Sequence, residues 1–123
     1  MEDLLNIRNQ LSHKELFEKF KVQLAKDFEQ SNFSAEFVAG LEPDYTTILE
    51  IIARELKRNE KKSETNLMQL LYRVDISEAQ LKRYLNERGE DDHFNVLAEL
   101  IIKRVLQKVV IKQYYRGGGT ESN

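Results

Sequence analysis

Cysteine is absent from this chain of 123 residues, which removes disulfides, thiolate catalysis and cysteine-ligated zinc or iron–sulfur centres together. Proline occurs once and glycine five times, three of the glycines in a row near the end, so the turn punctuation of a many-stranded β fold is missing. An all-β sandwich or barrel is excluded. No stretch approaches the roughly 18 uncharged apolar residues of a membrane span. Met1-Glu2-Asp3-Leu4-Leu5 has neither the basic start nor the apolar run of a signal peptide, and the chain reads as soluble and cytoplasmic. A Gly-rich phosphate loop, a nucleophile elbow and a Ser/His/Asp order are also missing. No catalytic residue and no cofactor are expected, and the chain reads as a non-enzyme.

Apolar material is plentiful. Leu, Ile, Val and Phe make up about 30% of the residues, above the roughly 20% below which a charged chain stays disordered, so a packed core is expected. The length suits one domain. A net charge of −2 hides an asymmetry: residues 1–50 carry five Lys/Arg and ten Asp/Glu, whereas residues 51–123 carry fourteen and eleven. Such a split suits complementarity within or between chains, or a modest basic face.

Helix starts recur along the chain. Ser12 with Glu15 is a capping-box pattern, in which the hydroxyl accepts from the amide three residues on and the carboxylate reaches back to the cap amide. It predicts a helix to about Gln30, with Leu16, Phe20, Leu24 and Phe28 at i, i+4 spacing as its apolar stripe and Phe17 beside them. Leu4, Leu5, Ile7 and Leu11 predict a short helix before it, and Phe33 to Gly40 one or two turns after it. Glu42-Pro43-Asp44 is a boundary, since proline suits a first helical turn and disfavours a helical residue before itself. From about Asp44 to about Lys61 the buried face is Tyr45, Ile48, Leu49, Ile52 and Leu56. The run Lys57 to Lys62 has no apolar residue and reads as a solvated last turn whose cations complement the helix dipole. Leu67, Leu70, Leu71 and Val74 then mark a core-facing helix that ends at Asp75. Ser77 with Gln80 is a second capping box and Ile76 with Leu81 a hydrophobic staple; Leu81, Tyr84 and Leu85 form the expected buried stripe, and Gly89 the left-handed stop.

The last helix is expected from Asp91 or Asp92 to Tyr114 or Tyr115, about 36 Å at 1.5 Å per residue. Its polar residues lie on one strip, and the apolar remainder is wider than the roughly 100° that a surface helix needs. It must therefore be enclosed on several sides, within the bundle or by a partner. Because twofold symmetry lets one patch bury its own copy, a homodimer or another protein contact is expected, with Phe94, Leu97, Ile101, Val105 and Val109 at or near the interface. The expected fold is all-α: a five- to six-helix bundle with a long, largely buried C-terminal helix, residues 1–116 forming one domain and 117–123 a disordered tail.

The segment Leu70-Leu71-Tyr72-Arg73-Val74-Asp75-Ile76-Ser77-Glu78-Ala79-Gln80-Leu81-Lys82-Arg83-Tyr84-Leu85 resembles the helix-turn-helix of transcriptional regulators in its apolar spacing. It departs at Leu71, where the motif has a small residue at the crossing, and at Asp75, where it has the turn glycine. The resemblance implies a DNA-binding alternative over about 67–88, with Gln80, Lys82 and Arg83 as nucleic-acid contacts and Glu78 opposing phosphate at the leading end. The two histidines carry no metal pattern. His13 has no second histidine at i+4, and Glu90-Asp91-Asp92-His93 reads as the acidic start of a helix, so no metal is expected. Glu15 with Lys19 and Glu50 with Arg54 are i, i+4 ion pairs on exposed faces.

Overall fold

A computed structural model of the chain describes residues 2–59, 64–89 and 92–118. Six α-helices follow in order: α1 (Glu2–Leu11), α2 (Lys14–Glu29), α3 (Tyr45–Arg58), α4 (Glu64–Arg73), α5 (Glu78–Arg88) and α6 (His93–Gly118). A 3₁₀ turn over Glu36–Gly40 lies between α2 and α3, and no strand occurs among the described residues. This is the all-α bundle with a long last helix that the apolar spacing predicts. No described helix is long and apolar enough to cross a membrane. Helix α6 reaches Gly118, two residues into the segment assigned above to a tail; residues 119–123 lie outside the described residues, as does Asp91.

Helix α6 is the axis of the bundle, flanked by α3, α2 and α5. Ala98, Leu100, Ile101, Ile102 and Val105 are fully buried on it, and they join Phe20, Leu24, Phe28, Ile48 and Ile52 in one core. Each of these side chains larger than Ala98 contributes roughly 1.5–3 kcal/mol by leaving water, an upper estimate for a compact unfolded chain. Most of the apolar surface of α6 is covered within the single chain. Leu97, Ile101, Val105 and Val109 are buried and Phe94 is half-buried, because three helices already cover the faces these residues occupy. Val110 is half-buried, and Ile111 is the exposed large apolar residue among the described side chains of α6.

The helix ends show which start signals operate. Ser12 does not cap α2: its backbone N–H donates to the Arg8 carbonyl and its hydroxyl to the Asn9 carbonyl at 2.7 Å, so Ser12 closes α1. Helix α2 starts after His13, whose side chain makes no cap hydrogen bond. Asp44 caps α3, its carboxylate accepting from the Thr47 amide at 3.0 Å and the Thr47 hydroxyl at 2.6 Å, and these bonds hold its pKa below the ordinary carboxylate value. Pro43 therefore stands before the cap rather than in the first turn. Helix α3 ends at Arg58, with Asn59 as its cap; Glu60 to Ser63 lie outside the described residues. Ser77 caps α5 as its pattern predicts, accepting from the Gln80 amide at 3.0 Å, and Gly89 closes α5 at φ 64°.

Helices α2 and α4 end alike. Asn32 (φ 67°) and Asp75 (φ 66°) are left-handed, and the next amide reaches back to a helical carbonyl, Phe33 to Phe28 at 2.9 Å and Ile76 to Leu71 at 2.8 Å. Asp75 thus fills the place of the turn glycine, at the modest strain a short polar residue tolerates.

Candidate interaction surface

The turn at Asp75 aims α4 and α5. It sends Leu70, Leu71, Val74 and Ile76 into the core, all buried, with Leu67 half-buried beside them. Met68 and Tyr72 fall on another face of α4 and stay out in solvent, 48% and 86% exposed. Helix α5 rests on α6 along one edge only. There the Lys103 ammonium donates to the Tyr84 hydroxyl at 3.1 Å and sits 5.7 Å from the ring centroid, while Arg88 pairs with Glu99. No residue of α5 is buried. Leu81 and Leu85, expected in the core, are only half-buried, because no element among the described residues fills the space on their outer side. What remains is an open groove of about 490 Å³ with Met68, Leu71, Tyr72, Ile76, Leu81 and Leu85 as its apolar lining and Glu78 and Lys82 as its charged lining.

A polar seam holds the other side of the hairpin. Asp27 on α2 is completely buried; it accepts from Lys108 Nζ at 3.0 Å and from Gln23 Nε2 at 3.1 Å, with Arg73 Nε at 3.9 Å. Lys108 also donates to the Arg73 carbonyl at 3.1 Å, at the C-terminal end of α4. Further along the antiparallel α2 and α6, Lys112 donates to Gln23 and Lys19 to Gln113. Arg104 completes the seam by donating to Asp75 at 2.6 Å. The charge asymmetry along the chain is thus used partly within the fold, the acidic first part supplying Asp27 and the basic second part Arg73 and Lys108.

The residues of the DNA-binding alternative are divided. Lys82 and Arg83 are exposed, Gln80 is half-buried, and Glu78 is exposed at the leading end of α5. Of the basic run after Leu56, Lys57 and Arg58 are exposed, and Arg58 pairs with Glu55 at 3.2 Å. Lys19 and Glu15 stand 3.9 Å apart. His13 and His93 are exposed, and Asp92 accepts from the Phe94 amide at 2.8 Å as the start of α6. Among the described residues no three His, Asp or Glu side chains gather as metal ligands. Compared with known proteins, the chain matches no family model, no curated protein and no solved structure.

Sequence reasoning missed both the groove and the seam, though each left a trace. Met68 and Tyr72 are an apolar pair at i, i+4 that falls outside the Leu67–Leu70–Leu71–Val74 stripe. Gln23 and Asp27 are a polar pair at the same spacing beside Phe20, Leu24 and Phe28, where a solvated face has no room.

Proposed function

We propose that this protein is a cytoplasmic, non-catalytic module that works by protein contact, receiving a helical surface in the groove between α4 and α5. The observation that supports this reading is the apolar groove left open beside an 86% exposed tyrosine. Tyrosine supplies large contact area at small conformational cost and methionine adapts to its neighbour, which suits both to an interface anchor. The groove is walled by helices and offers no free strand edge, so a helix laid along it is the fitting mode of recognition. The test is selection from a displayed library of amphipathic helical peptides. Enriched peptides should lose binding by about tenfold or more to the Tyr72→Lys variant, as for an interface hot spot. Failure of the monomeric protein to enrich any helix, or indifference to Tyr72, would refute the reading.

A second reading is a DNA-binding regulator, favoured by the left-handed turn at Asp75 and the exposed Lys82 and Arg83. It requires binding to duplex DNA that weakens steeply with salt and weakens further in a Lys82→Gln, Arg83→Gln variant. Exposed Glu78 at the start of α5 opposes that outcome.

A further inference from the structure

The charges lining the groove indicate its occupant. Glu78 and Lys82 lie one turn apart on α5 and both line the groove, so its charged lining is one anion and one cation. A groove suited to a strongly acidic or basic helix would carry charges of one sign. One of each, spaced by four residues on a single helix, is self-complementary under a twofold axis. We propose that the occupant is a second copy of this chain, docked groove to groove with the two α5 helices antiparallel. This rests on the protein-contact reading above and names its partner.

The geometry follows from the symmetry. An axis passing between Glu78 and Lys82 sets each Glu78 beside the partner's Lys82, so two intermolecular ion pairs form from one pair of residues. Tyr72 and Met68 of each copy then cover the partner's α5, where Leu81 and Leu85 are left half-buried by their own chain. The contact closes at two copies, because the same patch is used on both. It also differs from a dimer along the middle of α6, where Leu97, Ile101, Val105 and Val109 are already buried.

Sedimentation and light scattering on the full chain, from micromolar to submillimolar concentration, test the proposal. The wild type is expected to approach twice the 14.5 kDa chain mass. Glu78→Lys and Lys82→Glu should each weaken association about tenfold or more, since each puts like charges opposite one another twice. An equimolar mixture of the two variants should recover the dimer, because one copy then carries two cations and the other two anions. Circular dichroism confirms that each variant is folded. A wild type at the monomer mass throughout, variants that remain dimeric, or a mixture that fails to associate would overturn the pairing. Peptide selection separates this failure from that of the parent reading: helices captured through Tyr72 by a monomeric wild type would leave protein contact standing and remove only the second copy as its partner.

Discussion

Replacing Lys108 with Met should destabilise the protein more than replacing Asp27 with Asn, although the two residues form one ion pair. Asp27 is completely buried, whereas the Lys108 side chain keeps 30% of its exposure. Removing one member of a buried pair costs about 3–5 kcal/mol, because the other charge is left without compensation. In Lys108→Met the stranded carboxylate has no route to water. It retains Gln23 at 3.1 Å and Arg73 at 3.9 Å, which places the expected loss near the lower end, about 3 kcal/mol. In Asp27→Asn the amide retains its place beside Gln23 and the lysine can turn outward, so about 1–2 kcal/mol is expected. The double variant Asp27→Leu, Lys108→Met buries no charge and should fall close to the wild type, well above Lys108→Met alone. Urea unfolding followed by circular dichroism measures all three, provided the slope against denaturant is unchanged. A loss below about 1 kcal/mol for Lys108→Met, or one smaller than for Asp27→Asn, would refute the view that this pair is the buried link between α2 and α6.

Three further outcomes are expected. Ile101→Ala, at a fully buried site, should cost about 2–5 kcal/mol and Leu81→Ala less than half as much, since Leu81 already meets solvent; equal losses in denaturant unfolding would contradict the packing. Ser77→Ala should cost about 0.5–2 kcal/mol, the range for a helix cap, while Ser12→Ala, which removes no cap of α2, should stay within about 0.5 kcal/mol. Tyr45 has its pKa pushed up from 10.0 to about 12 by burial first and by Glu99 second, so its neutral form is favoured in the folded state. That contribution is complete below pH 10 and is lost as pH rises from there through about 12; phenolate absorbance should show Tyr45 titrating only there, together with a fall in stability.

How far the sequence discloses the fold depends on whether a feature is local. Helix stripes and the Ser77 and Asp44 ends involve residues within a turn of one another, and spacing reveals them. The Ser12 pattern misleads because α1 ends where α2 begins, and one serine cannot both close the first helix and cap the second. The enclosure of α6 is not local: the breadth of its apolar surface is legible, but whether α2, α3 and α5 or a second chain supplies the cover depends on how those helices are placed. The half-burial of Leu81 and Leu85 escapes for the same reason. A stripe says which face is apolar, and only the packing of α5 by one edge says that the face is left partly open. The Asp27 seam needs partners 46 and 81 positions away, and no spacing rule reaches that far.

Tyr72 separates what holds the fold from what the groove is for. The hairpin of α4 and α5 is anchored by Leu70, Leu71, Val74 and Ile76 inside and by the Arg104–Asp75 and Lys108–Arg73 contacts at the turn, none of which uses the Tyr72 side chain. At 86% exposure that side chain contributes almost no burial to the single chain. Lysine in its place has better helix propensity and puts a cation near the C-terminal end of α4, where the helix dipole favours it by about 0.3–1 kcal/mol. Tyr72→Lys should therefore leave the stability of dilute protein unchanged or slightly raised while abolishing self-association. The two effects separate in thermal unfolding, because a partner that binds only the folded chain raises the midpoint with concentration. Wild-type protein should unfold at a temperature that climbs with concentration, and Tyr72→Lys at one that does not. A variant destabilised by more than about 1 kcal/mol in dilute solution would mean that Tyr72 belongs to the fold, and the groove would lose its claim to be an interface.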